Sequence, residues 1–164
     1  MQHINKIIIY IDGSSQGNPG LCGVGNTFET TNGKKLLEIS KFIGEGTNNQ
    51  AEYQGLISAL NVLKDRRLNF TITQETEIEI RTDSELLFNQ INGSYKVKNW
   101  SLKKLYSIVQ KFKIEFPNIK MTLIPREENR VCDKLAKKAI KDAVKQHGLK
   151  TKSIKINKTQ SLFS

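Results

Sequence analysis

Five residues, Ile7-Ile8-Ile9-Tyr10-Ile11, follow one another without a polar break and stop at Asp12. Such a run is apolar on both faces of a strand, and a strand of that kind is stable only inside a sheet covered on both sides. Residues 5–12 are therefore predicted to form a central strand. The following stretch, 14–25, is rich in Gly and holds the turn signal Asn18-Pro19-Gly20. A second strand is predicted over 23–30. Asn32-Gly33 is a hairpin signal that leads into a third strand over 34–43.

The hydrophobic period then changes. Tyr53, Leu56, Ile57, Leu60 and Leu63 recur at helical spacing, which predicts a helix over 49–64 with Glu52 on its apolar side. A strand is predicted over 77–82 and a short helix over 84–91. Leu102, Leu105, Tyr106, Val109 and Phe112 mark a third helix, and 120–124 the last strand. The final helix is predicted over 127–146 with Val131, Leu135, Ala139 and Ala143 on its buried side, stopping at Gly148. The order βββαβααβα implies an α/β fold: a mixed sheet with helices on its faces. Residues 1–148 are assigned to this domain. The basic segment 149–164 is expected to be a loosely held tail.

At 164 residues, with 37% hydrophobic and 26% charged content, the chain fits one globular domain. A net charge of +10 favours a polyanionic partner, most simply nucleic acid. Lysines concentrate at Lys103, Lys104, Lys111 and Lys113, and again from Lys134 to Lys158. No stretch approaches the roughly 20 apolar residues of a membrane helix, so no membrane association is expected. Cys22 and Cys132 stand far apart, as thiols of a reducing compartment do, and a cytoplasmic location is expected.

Four carboxylates attach to this frame: Asp12 after the first strand, Glu52 in the first helix, Asp83 after the strand 77–82, and Asp133 in the last helix. Each has an ordinary structural reading. Asp12 suits a turn. Asn49 and Glu52 suit a capping box. Asp83 suits an N-cap. Asp133 suits a surface pair with Lys137, worth about 0.3–0.5 kcal/mol. Converging, the same four would bind a divalent cation.

The joint pattern is more specific. Gly13-Ser14-Ser15-Gln16-Gly17-Asn18-Pro19-Gly20 follows a strand, and Thr47-Asn48-Asn49-Gln50-Ala51-Glu52 opens a helix. Thr82-Asp83-Ser84 follows another strand, and Asn129 precedes Asp133, Leu135 and Ala136. In this order the motifs resemble type 1 ribonuclease H, from about Lys6 to Gln146. The resemblance implies a ribonuclease H-like fold, a five-stranded mixed sheet whose second strand is antiparallel, flanked by helices. It implies cleavage of the RNA strand of RNA–DNA hybrids, leaving 5′-phosphate and 3′-hydroxyl ends. It implies Asp12, Glu52, Asp83 and Asp133 as catalytic ligands of two Mg²⁺ ions, with Mn²⁺ a substitute. Two such ions clamp the attacking and leaving oxygens of an in-line displacement. It also implies substrate contacts from Gly13, Ser14, Ser15, Asn18, Thr47, Asn48, Asn49 and Gln50, where turn and cap chemistry is the competing explanation.

Two departures from the family pattern stand out. The loop histidine of many members is missing, since the chain's histidines are His3 and His147, and Arg126 occupies that loop. This matches a histidine-free branch. The basic protrusion of some members is reduced to Gly93-Ser94-Tyr95-Lys96-Val97-Lys98-Asn99-Trp100, where Lys96 and Lys98 can reach phosphate. Trp100 either flanks a DNA channel or is a half-buried core residue. A monomer is expected. The rival functions are a catalytically silent hybrid binder and the nuclease domain of a retroelement polymerase. Double-stranded RNA is a possible further substrate.

Overall fold

The structure is a computed structural model that describes residues 2–148; the tail expected at 149–164 lies outside the described residues. The apolar run forms the middle of β2 (Lys6–Gly17), preceded by a two-residue β1 (Gln2–His3). β3 (Gly20–Glu29) and β4 (Lys35–Gly46) complete an antiparallel meander with β2. Then come α1 (Asn48–Lys64), β5 (Phe70–Thr71), β6 (Glu77–Thr82), α2 (Glu85–Ile91), α3 (Trp100–Glu115), β7 (Ile119–Leu123) and α4 (Arg130–His147). The main sheet has the order β4-β3-β2-β6-β7, with β6 and β7 parallel to β2. The expected five-stranded mixed sheet with an antiparallel second strand is present. The pair β1–β5 is an addition that two-residue strands, too short to show a period, did not announce.

β2 alternates between a fully buried face and a partly buried one. Ile7, Ile9 and Ile11 are fully buried on the face covered by α1, where Tyr53, Leu56 and Leu60 meet Ile78, Ile80, Leu105 and Val109. Burial of a residue of this size contributes about 1.5–3 kcal/mol, so this layer is the main source of stability. The opposite face carries α4, which packs on β3, β4 and β2.

Two features correct the sequence expectations. α4 does not run from 127: Arg126–Glu128 is a 3-10 turn, and the helix starts afresh at Arg130. Asp133 therefore lies in its first turn, not in mid-helix. The buried side of α4 is Cys132, Ala136, Ala139, Ile140 and Ala143, while Val131 is 53% exposed. Glycines explain this rotation. A Cβ on Gly23 would lie 2.3 Å from the Ala136 carbonyl oxygen, and one on Gly25 2.2 Å from that of Cys132. So close an approach of helix and strand brings the α4 backbone at Cys132 and Ala136 onto β3, with Ala139 and Ile140 packed over Gly23.

Trp100 is not a half-buried core residue either. It is the first residue of α3 and 73% exposed, because Leu102, Leu105, Val109 and Phe112 define the buried stripe. No helix among the described residues is long and apolar enough to cross a membrane.

Candidate active site

β2 and β6 run side by side from the Lys6–Glu77 pair to the Tyr10–Arg81 pair and then separate. β2 continues along β3, while β6 ends at Thr82. Asp12 is the first residue beyond this fork on the α4 side, and Asp83 directly follows β6. The gap between separating strand ends is where open α/β sheets form ligand crevices.

Glu52 reaches the same place from the other face. A Cβ on Gly13 would meet the Ala51 backbone at 2.1 Å, and one on Gly55 the Asp12 carbonyl oxygen at 2.8 Å. Only glycine at both positions lets α1 lie this close to β2. Buried Asn26 fixes the contact by donating from Nδ2 to the Gly55 carbonyl at 2.9 Å. The Gly13 N–H then donates to Glu52 Oε2 at 3.3 Å.

The cap of α1 differs from the sequence expectation. Thr47, not Asn49, is the N-cap, and its box partner is Gln50. The Gln50 N–H donates to Thr47 Oγ1 at 3.2 Å, and the Thr47 N–H to Gln50 Oε1 at 2.8 Å. Glu52 is thereby free of capping. Ser84 likewise caps α2, receiving the Leu87 N–H at 3.2 Å, so Asp83 is no cap.

Asp12, Glu52 and Asp83 each place a carboxylate oxygen within 4.8 Å of the others. Asp12 is 4% exposed. Burial, then the charges of Asp83 and Asp133, push its carboxyl up to about 7. Burial, followed by the charges of Asp12 and Asp83, holds Glu52 well above the usual carboxylate range. Burial also raises Asp83, against the Asn129 hydrogen bond and the Arg126 charge. Such a cluster is costly without positive charge in its midst. Three hard oxygen donors within one ion's reach are the donor set that Mg²⁺ or Mn²⁺ takes, so the residues fit the divalent cation the sequence implied.

Asp133 stands at the rim. Its Oδ2 accepts from Lys137 Nζ at 2.9 Å, the anticipated surface pair, yet it lines the same cleft and its charge acts on Asp12. The cleft encloses about 1070 Å³ and is lined further by Gly13, Ser14, Asn48, Asn49, Arg126 and Arg130. Of the other anticipated substrate contacts, Asn18 Oδ1 accepts from the Asn48 N–H at 3.1 Å, bracing the loop beneath Asn48. Ser15 Oγ donates to the carbonyls of Gly17 and Gly46, and Thr47 and Gln50 serve the cap. Lys96 and Lys98 are exposed in the α2–α3 connection, outside the cleft wall.

Asn129, which precedes Asp133 in the last motif, has a role that the sequence does not announce. It is 1% exposed. Its Nδ2 donates to the Ile11 carbonyl at 2.8 Å and to Asp83 Oδ2 at 3.4 Å, and its backbone carbonyl accepts the Asp133 N–H at 3.1 Å. One residue thus ties together, through side chain and backbone, the segments that carry three of the four acids. In the sequence alone it is indistinguishable from an ordinary asparagine cap.

Comparison with known proteins points the same way. The family profile described as Reverse transcriptase-like matches residues 10–139. The chain is 36% identical over 157 residues to a bifunctional protein of Mycobacterium tuberculosis, covering 95% of this chain and 41% of that protein. It thus spans less than half the length of that relative. It is 34% identical over 140 residues to the ribonuclease H of Haemophilus influenzae, covering 81% of this chain and 88% of that one. Among solved structures it is similar to LC11-RNase H1, isolated from compost by a metagenomic approach. That match has 43% identity and a TM-score of 0.80, covering 86% of this chain and 99% of the other. The same compost protein in complex with RNA/DNA hybrid matches at 41% identity with a TM-score of 0.78, covering 84% and 99%.

Proposed function

The chain belongs to the ribonuclease H family, and from that premise we propose that it is a metal-dependent endonuclease that hydrolyses the RNA strand of RNA–DNA hybrids, leaving 5′-phosphate and 3′-hydroxyl ends. The observation that carries the proposal is the convergence of Asp12, Glu52 and Asp83 oxygens within 4.8 Å from three separate segments of the chain. The catalytic unit comprises residues 1–148.

Asp12, Glu52, Asp83 and Asp133 would hold two Mg²⁺ ions, with Mn²⁺ as a substitute. When bound, the ions polarise the scissile phosphate and make hydroxide available near neutral pH. The protein's own groups orient the rest. The Gly13 N–H restrains Glu52, and Asn129 restrains Asp83. Arg126, Arg130 and Lys137 supply positive charge around the acids, suited to a phosphate backbone. Ser14, Asn48 and Asn49 offer neutral hydrogen-bonding groups beside the acids, suited to a 2′-hydroxyl and a minor groove without strong base preference. Gly13, Ser15, Asn18, Thr47 and Gln50 shape that wall through backbone and cap contacts. Lys96, Lys98 and Trp100 extend the contact along the duplex. The binding of RNA/DNA hybrid by the compost relative supports this reading. The protein acts as a cytoplasmic monomer.

The test is a labelled substrate series: RNA–DNA hybrid, double-stranded RNA, and DNA duplex carrying one ribonucleotide, each with Mg²⁺, Mn²⁺ or chelator. We expect cleavage of the hybrid with metal and none with chelator. Wild-type protein that binds hybrid but never cuts it would make the chain a silent binder and overturn the proposal. Cleavage of the double-stranded RNA would widen the substrate class.

A further inference from the structure

Two polar side chains sit inside the main apolar core and serve no part of the acid cleft. Tyr53 is fully buried and Gln90 is 5% exposed. The Tyr53 hydroxyl donates to Gln90 Oε1 at 2.6 Å, and Gln90 Nε2 donates onward to the Lys96 carbonyl at 3.4 Å. Burial keeps the tyrosine hydroxyl protonated, so it remains a donor. An apolar pair of the same shape would fill this space without the cost of desolvating an amide and a hydroxyl. The polar pair therefore needs an explanation other than packing.

Its two ends suggest one. Tyr53 follows Glu52 on α1, so its position is fixed by the helix that lies against β2 through Gly13 and Gly55. The far end holds the connection between α2 and α3, which carries Lys96 and Lys98. Elsewhere in that connection the N–H groups of Ser94 and Tyr95 donate to the Asn89 carbonyl, and Val97 packs against the core. The Gln90 bond grips it at Lys96 itself.

We propose that Gln90, backed by Tyr53, is a positioning residue for substrate engagement: a strut through the core that sets the basic connection at a fixed place relative to the acid cleft. This rests on the reading above, in which Lys96 and Lys98 touch duplex phosphate. With the strut in place, the two lysines meet the backbone in one arrangement, and the cost of ordering the loop is met on folding rather than on binding.

The experiment compares wild type, Tyr53→Phe/Gln90→Leu, Lys96→Ala/Lys98→Ala and the combination of all four changes. Gln90→Leu alone orphans the Tyr53 hydroxyl, so the paired change is the one that preserves the fold. KM and kcat are measured on the hybrid with Mg²⁺. Hybrid affinity is measured by fluorescence anisotropy in chelator across a salt series, which reads binding independently of cleavage. For the strut variant we expect a cooperative thermal transition, an unchanged kcat, a several-fold rise in KM, and a log–log salt slope reduced by about 1 to 2. Adding the lysine changes to the strut variant should cost much less than adding them to wild type. Unchanged KM and affinity in the strut variant, a loss confined to kcat, or full additivity with the lysine changes would each overturn the proposal. A lysine variant that binds as wild type would overturn it at the loop while leaving the nuclease reading intact. Absence of cleavage by wild type would instead strike the nuclease reading, with the affinity series still deciding the strut.

Discussion

Glu79 and Asp12 stand on the same face of neighbouring strands, both less than a tenth exposed, and the chain treats them in opposite ways. Glu79 is surrounded by cations of its own protein. Lys6 Nζ lies 3.7 Å away, and Arg81 Nε donates to its carboxylate. Arg81 in turn donates to the Tyr10 hydroxyl at 2.6 Å and lies over the Tyr10 ring. Asp12, two pleats further on and past the fork of β2 and β6, has acids for neighbours, and burial with their charges pushes it up to about 7. The fold supplies one buried carboxylate with its counter-charge and leaves the other to a charge from outside. A buried acid compensated from within is structure; one left uncompensated among others is suited to hold a cation.

The sharpest way to break the contrast is Asp12→Asn. We expect near-complete loss of hybrid cleavage, because an amide cannot supply the negative charge a divalent cation requires. The same variant should unfold at a higher temperature than wild type in chelator above pH 7, since it removes repulsion. Full activity, or a lower unfolding temperature in chelator, would remove Asp12 from the metal site. Gly13→Ala comes next. The added methyl has no room against the Ala51 backbone, so α1 must shift from β2. We expect a loss of about 1–3 kcal/mol in urea unfolding together with a large fall in kcat. Stability lost with kcat retained would show that Glu52 tolerates the shift.

Glu79→Gln probes the compensated side. Its partners are about one-third exposed, so solvent screens the pair, and we expect a loss of only about 1–2 kcal/mol with cleavage unaffected. An equal loss of activity would merge the two regions. The smallest effect sharpens the comparison through pH. A carboxyl raised from 3.8 to about 7 on folding favours the folded state fully at pH below 3.8. That contribution is lost as pH rises towards 7, because the folded protein then binds more protons than the unfolded one. The raised Glu52 adds to the same trend. Thermal unfolding in chelator should therefore show a falling contribution from the site between about pH 4 and 7, which saturating Mg²⁺ removes. A slope identical with and without Mg²⁺ would mean that no ion enters the cluster.

Much of this was legible in the sequence because hydrophobic period and strand ends carry the information. The run Ile7–Ile11 identified the central strand, and an acid at its end lay at the crevice. The helical wheel places Glu52 on the apolar side of α1, and it faces Gly13. Helix register was harder. Thr47 with Gln50 and Asn49 with Glu52 both satisfy a capping pattern, and the choice depends on where the chain leaves β4. The rotation of α4 was hidden for another reason. Gly23 and Gly25 on β3 decide which residues of α4 are buried, and a single helix's pattern contains nothing of its partner strand. Asn129 was concealed by its type, since an asparagine before a helix reads as a cap until its side chain is seen to bond Ile11 and Asp83.

The exposed indole of Trp100 gives the molecule a built-in optical probe. The chain has one tryptophan, and it stands in solvent at the start of α3, beside the basic connection rather than inside the core. Its emission is therefore that of an aqueous indole, and stacking of a base or sugar against it quenches that light without any dye. Titration with nucleic acid can thus be followed by intrinsic fluorescence, while melting of the interior barely alters the signal.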